Sequence, residues 1–143
     1  MKKTFLIIIL PGILFLLSSC NAEFDPISYG HDACAHCKMT IIDKRYAAEI
    51  LTKKGKVYKF DDMACLKKYI KENNLPESEL TVYVADYYNP DSKFLNARLV
   101  VYLHDDIFKS PMNGSFAAFA KAENAKPLQD SLHANLLKWE NLN

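Results

Sequence analysis

The sequence predicts an α+β fold, a ββαβ unit filling the first half of one small domain and repeated in the second, behind a lipoprotein signal peptide. Three features predict it. A hairpin pattern, residues 46–52 and 57–60 about the turn Lys54-Gly55-Lys56, precedes apolar residues at helical spacing. An alternating strand, residues 80–85, follows them. A methionine-bearing turn stands before a helix-prone stretch twice.

The N-terminus is concerned with export and not with the fold. Lys2 and Lys3 precede an apolar stretch, residues 5–17, and Ser18 and Ser19 lead to Cys20, the layout of a signal peptide over residues 1–19. The stretch is shorter than the roughly 18 to 20 residues of a stable span, and Pro11 and Gly12 interrupt it, which disfavours a permanent membrane helix. Leu17-Ser18-Ser19-Cys20 resembles the bacterial lipobox, making Cys20 the expected lipidation site; an ordinary secretory signal cut near Cys20 is the alternative. Asn21 after that cysteine resembles an outer-membrane address, so the expectation is a periplasm-facing or surface lipoprotein of the outer membrane. Residues 20–30, with Pro26 and Gly30 and no apolar period, read as a lipidated tether. The domain is expected over residues 31–143, with 31–86 the first unit and 87–143 the second unit and a C-terminal helix. With 18 basic and 17 acidic residues, a formal net charge of +1, there is no electrostatic footprint for nucleic acid.

Within the domain, Thr40-Ile41-Ile42 and residues 46–52 are candidate strands, and residues 57–60 return from the turn. Asp61 and Asp62 are N-cap candidates. Met63, Leu66, Tyr69 and Ile70 then recur at helical spacing until Asn73, Asn74 and Pro76 stop the pattern. After a turn-rich linker, residues 86–91, a strand is expected over 97–103. Ser110-Pro111-Met112-Asn113-Gly114 forms a turn into a helix over 115–124, favoured by its alanines and by the Phe116/Phe119 spacing, and residues 128–139 form a last helix starting near Pro127. Phe60-Asp61-Asp62-Met63 and Ser110-Pro111-Met112 suggest the repeat, although residue identity between the halves is too low to establish it.

Lipidation of Cys20 would leave Cys34, Cys37 and Cys65, an odd number in an oxidising compartment, so they cannot all pair. One reading is a Cys34–Cys37 disulfide with Cys65 buried; the other is a metal site. Met39 favours metal, because thiolate and thioether sulfurs are soft and match Cu(I), which accepts two or three ligands. In an extended segment Cys37 and Met39 point to one side and Lys38 to the other. Lys38 or a protonated His36 is expected to lower the cysteine pKa and favour thiolate. Cys34 is a supporting ligand, Met112 is either ligand or core, and Cys65 is undecided. Met63 shares a helix face with Leu66 and Ile70 and reads as core. His36, His104 and His133 read first as surface or hydrogen-bonded residues, and Asp61 and Asp62 as helix caps, since hard carboxylates suit Cu(I) poorly. Cys34-Ala35-His36-Cys37 also has the spacing of a thiol–disulfide oxidoreductase, but it leads into expected extended structure and does not open a helix.

The run from Cys34-Ala35-His36-Cys37-Lys38-Met39 through Asp43, Arg45 and Tyr46, then Gly55, Tyr58, Phe60-Asp61-Asp62 and Cys65, resembles the NosL family of copper lipoproteins. Ser110-Pro111-Met112 and Phe116-Ala117-Ala118-Phe119, with Glu123 and Ala125, resemble that family's second block, so the likeness runs from about His31 to Ala125. It implies a pair of ββαβ units akin to treble-clef metal modules, and a non-enzymatic role: delivering Cu(I) to the maturation machinery of nitrous oxide reductase, a membrane transporter and the reductase itself. It places binding on Cys37 and Met39, at a motif whose middle position is often glycine and here is Lys38. The first half is also similar to the YHS and TRASH metal domains. Asp61 stands where those domains carry a cysteine, which argues against a closed four-cysteine zinc site.

Overall fold

The structure, a computed structural model, describes residues 24–142, so the signal peptide and Cys20 lie outside the described residues. Strands β1 (Ala48–Thr52) and β2 (Val57–Phe60) form the expected hairpin, with Gly55 at a φ of 82° in its turn. Helix α1 (Met63–Glu72) begins at Asp62, whose carboxylate accepts the Cys65 amide, and ends at Asn73. Strand β3 (Leu80–Val84) comes back beside β1, and a two-residue strand β4 (Leu95–Asn96), not expected from the sequence, borders β3. The antiparallel order is β2-β1-β3-β4. Among the described residues no helix is long and apolar enough to cross a membrane.

The two faces of this sheet are used differently. Residues two apart share a face, so Ala48 and Ile50 lie beside Phe60 and Tyr58 and beside Val84 and Val82, and α1 covers them, with Tyr69 against Tyr58 and Phe60. The opposite face sets Lys59, Glu49 and Tyr83 side by side. There the N-terminal segment docks: Phe24 meets Tyr83 edge-on, and the Asp25 amide donates to Glu49. Lys59 reaches Asp25, Asp32 and the Pro26 carbonyl. Residues 24–30, expected as a tether, thus lie against the sheet, and Ile27 is buried.

The second unit repeats the plan with a shift that the sequence hid. Strands β5 (Val101–His104) and β6 (Phe116–Phe119) pair antiparallel, helix α2 (Ala122–Leu132) follows, and a single bridge, Tyr102 to Leu137, stands where β3 stands in the first unit. Residues 116–119, expected as helix, are therefore strand. Val101, Leu103, Ala117 and Phe119 enter one core and Tyr102 and Ala118 another, so both faces of this hairpin are covered and its residues form unbroken apolar runs. Such runs carry no alternation to mark them as strands. The expected strand over 97–103 begins only at Val101, because Asn96 accepts from the Arg98 amide and turns the chain. The expected helix over 128–139 starts earlier and ends at Leu132. Pro127 lies inside α2, where it forgoes one backbone hydrogen bond while Ala125 is buried and Leu128 and Leu132 pack against the second core. Thr40-Ile41-Ile42 is not a strand; Thr40 contributes one bridge, to Ala33.

Ser110–Gly114 falls in the β5–β6 connection, so its likeness to Phe60-Asp61-Asp62-Met63 was misplaced by one element. The residues equivalent to that junction are Phe119-Ala120-Lys121-Ala122.

Candidate metal centre

The cysteine loop is held at both ends. Ala33 and Thr40 bridge, the Cys34 amide donates to the Met39 carbonyl at 2.8 Å, the Lys38 amide donates to the Cys34 carbonyl at 3.1 Å, and the Ala35 amide donates to the Lys59 carbonyl of β2. Closing so tight a loop needs one residue of positive φ, and that residue is Lys38, at 66°. The segment is accordingly a turn, and the strand-like alternation expected to aim Cys37 and Met39 together does not occur.

The loop instead brings its cysteines to the junction of β2 and α1. Cys34, Cys37, Asp61 and Cys65 place one donor atom each within 4.8 Å of one another. Cys34, Asp61 and Cys65 are buried, and Cys37 is half-buried. The Cys37 thiol donates to Asp61 Oδ2 at 3.2 Å, while Asp61 Oδ1 is buried without a partner. Three free sulfurs and an orphaned carboxylate oxygen fit a cation, and the sulfurs suit a soft one.

Division of labour between the two aspartates corrects the expectation that both are caps. Asp62 alone caps α1, and its Oδ2 also accepts from Ser110 Oγ at 2.8 Å and from the Met112 and Gly114 amides at 3.0 and 3.3 Å. That ties the Met112 loop to the residue next to Asp61. Gly114 is obligatory there, since a Cβ would meet Ala64 Cβ at 2.9 Å and Asp62 Oδ2 at 3.1 Å. Met112 is half-buried and packs against the core, whereas Met39 is 54% exposed. Met63 is core, as its helical spacing predicts.

Burial pushes the Cys37 thiol up to about 11 and raises Cys65 as well, and at Cys37 the hydrogen bond to Asp61 acts in the same direction. The cationic help expected from Lys38 and His36 is directed elsewhere. Lys38 Nζ donates to the Ala35 carbonyl, and His36 Nε2 lies 3.1 Å from Glu72. Metal binding here must displace thiol protons, so apparent affinity rises with pH.

A family model, NosL, matches residues 27–143. The chain belongs to the NosL family. The crystal structure of the copper chaperone NosL from Shewanella denitrificans is similar at a TM-score of 0.69 and 20% identity, over 85% of this chain and 96% of that one. No curated protein matches the chain. At that identity the likeness speaks to the fold, a small α+β domain with two helices and antiparallel sheets.

For this NosL family member the structure brings together Cys34 and Cys37, as expected, adds Cys65, and adds Asp61, which residue-type reasoning had set aside. The sequence signal for Asp61 was the resemblance of the first half to smaller metal domains, in which a cysteine stands at that place.

Proposed function

We propose that this NosL family member is a carrier of Cu(I) outside the cytoplasm, binding one ion as cargo among Cys34, Cys37 and Cys65 with Asp61 beside it. The convergence of three free thiols and one carboxylate within 4.8 Å carries this reading. Two thiolates balance one Cu(I) with a single excess negative charge, and further ionisation in a buried site is costly, which favours the low coordination number that Cu(I) accepts. Met39, exposed and two residues past Cys37, offers an outer soft donor through which the ion enters or leaves, and Met112 is a candidate further sulfur. An unfilled coordination position lets an incoming ligand add before an outgoing one departs. The copper goes to nitrous oxide reductase through its maturation transporter, and the carrier is held by lipid at Cys20, facing the periplasm from the outer membrane. Likeness to the copper chaperone NosL from Shewanella denitrificans supports copper as the cargo.

A second reading is a four-coordinate zinc-type module, favoured by Asp61 making a fourth donor. A thiol–disulfide oxidoreductase is disfavoured by the burial of Cys34 and by the raised pKa of the Cys37 thiol, since that chemistry uses an exposed, low-pKa thiolate. Anaerobic competition under reducing conditions separates the metal readings. The chain should take up one Cu(I) in preference to Zn(II), and Cys37→Ser with Cys65→Ser should weaken Cu(I) binding about 100-fold or more. Undiminished Cu(I) affinity in that variant would remove the site, and Zn(II) retained against Cu(I) would select the second reading. A deletion strain should accumulate copper-poor nitrous oxide reductase; normally loaded reductase would remove the partner.

A further inference from the structure

A cleft of about 830 Å³ runs along α1 where the two units meet. One wall is the stripe Lys67, Lys68 and Lys71, and facing it are Leu75, Phe116 and Leu142. The single carboxylate in the lining, Glu77, is already engaged: Trp139 Nε1 donates to it at 2.8 Å, and Arg98 and Lys67 lie at 3.4 and 3.5 Å. Lys68 and Lys71 are exposed and enter no ion pair among the described residues. In a chain whose net charge is only +1, an apolar cleft edged by unpaired lysines is a local excess of positive potential.

The same helix carries Cys65 in its first turn, and Ala64 beside it in the chain lines the cleft, so the N-terminal end of the cleft is one residue along the helix from the metal cluster. The N-terminal segment docks on the opposite face of the β2-β1-β3-β4 sheet, against Glu49 and Tyr83. A lining that sets lysines beside Leu75, Phe116 and Leu142 is complemented by acidic and apolar side chains together, the chemistry of an amphipathic protein segment.

We propose that this cleft receives an acidic, amphipathic segment of the protein that exchanges metal with the Cys34, Cys37, Asp61 and Cys65 cluster. Acidic side chains of the segment pair with Lys68 and Lys71, and its apolar side rests on Leu75 and Phe116. Naming the occupant as a metal-exchange partner rests on the carrier reading, whereas docking in the cleft is measured without metal, so the two can fail separately.

The chain has one tryptophan, Trp139, with Lys67 packed 4.6 Å from its ring centre, and its emission reports on the cleft. The probe is a labelled synthetic peptide of roughly twelve residues in which glutamate pairs alternate with leucines. Titrated into the full chain, it should raise the label's anisotropy and change Trp139 emission together. Lys68→Glu with Lys71→Glu should weaken binding about tenfold or more, Lys68→Gln with Lys71→Gln less, and Lys53→Glu with Lys54→Glu, in the β1–β2 turn, not at all. Circular dichroism and Cu(I) uptake of all variants should stay unchanged. Absence of binding, or binding equal in the Lys68→Glu/Lys71→Glu and Lys53→Glu/Lys54→Glu variants, would overturn the proposal. Phosphatidylglycerol vesicles run in parallel should bind weakly. Tight vesicle binding lost in Lys68→Glu/Lys71→Glu would assign the cleft to a lipid surface instead.

Discussion

In the first unit β2 ends at Phe60 and the chain passes through Asp61 and Asp62 into α1; in the second, β6 ends at Phe119 and passes through Ala120 and Lys121 into α2. The backbone plan is shared, but the chemistry is not. Asp62 accepts four hydrogen bonds at the first junction, whereas the Lys121 side chain caps nothing. Asp61 and Cys65 supply donors at the first, and Ala120 stands at the second. The central strands differ in the same way. Glu49 of β1 and Tyr102 of β5 hold equivalent register positions and are both fully buried; Tyr102 donates to the Ala97 carbonyl at 2.7 Å, while one oxygen of Glu49 has no partner. One copy of the fold carries the reactive groups, and the other braces it.

That contrast is broken most easily at the junctions. Asp62→Ala should cost about 3 to 4 kcal/mol, since it strips a cap and leaves Ser110 and two loop amides without an acceptor, while Lys121→Ala should stay within about 0.5 kcal/mol. Urea denaturation of both measures it, and equal losses would dissolve the asymmetry.

The central strands give a smaller, pH-dependent effect. Burial, opposed by the Asp25 amide and by Lys59, pushes the Glu49 carboxyl up from 4.5 to about 7. Between those values the folded chain keeps a proton that the unfolded chain has released. Its contribution is therefore full below about pH 4.5 and is lost as pH rises through 7. Glu49→Gln should gain about 2 to 3 kcal/mol relative to the parent chain between pH 5 and 8. Thermal melts of the two proteins across that range should diverge; parallel curves would show Glu49 ionised in the fold.

The smallest effect belongs to the loop that brings the cysteines to the first junction. Lys38→Gly removes a side chain from a φ of 66° and should stabilise the chain by about 0.5 kcal/mol, with Cu(I) affinity kept. A lowered melting temperature would mean that the Lys38 bond to the Ala35 carbonyl outweighs the strain.

The β1–β2 hairpin, α1 and β3 were legible because each has a period or a clear stop: alternation in residues 80–84, a helical stripe from Met63 to Ile70, a glycine turn between β1 and β2. The second was not, because Phe116-Ala117-Ala118-Phe119 is covered on both faces and its alanines carry no period. At the site, the loop spacing announced Cys34 and Cys37. Cys65 and Asp61 are brought to them by a hairpin and a helix start, and that contact depends on tertiary geometry with no local pattern. The positive φ of Lys38 had one signal, the glycine common at that position in the family the motif resembles, although lysine itself does not advertise it.

Asp62 has a consequence for how the chain comes apart. Its carboxylate holds the helix start of one unit and the strand connection of the other, and Tyr102, Ala118 and Trp139 of the second unit lie in the first unit's core. Neither half can open without exposing surface that belongs to its neighbour. The duplicated architecture therefore behaves as one cooperative body, and separating it at the midpoint of the chain would yield two fragments that each lack a wall.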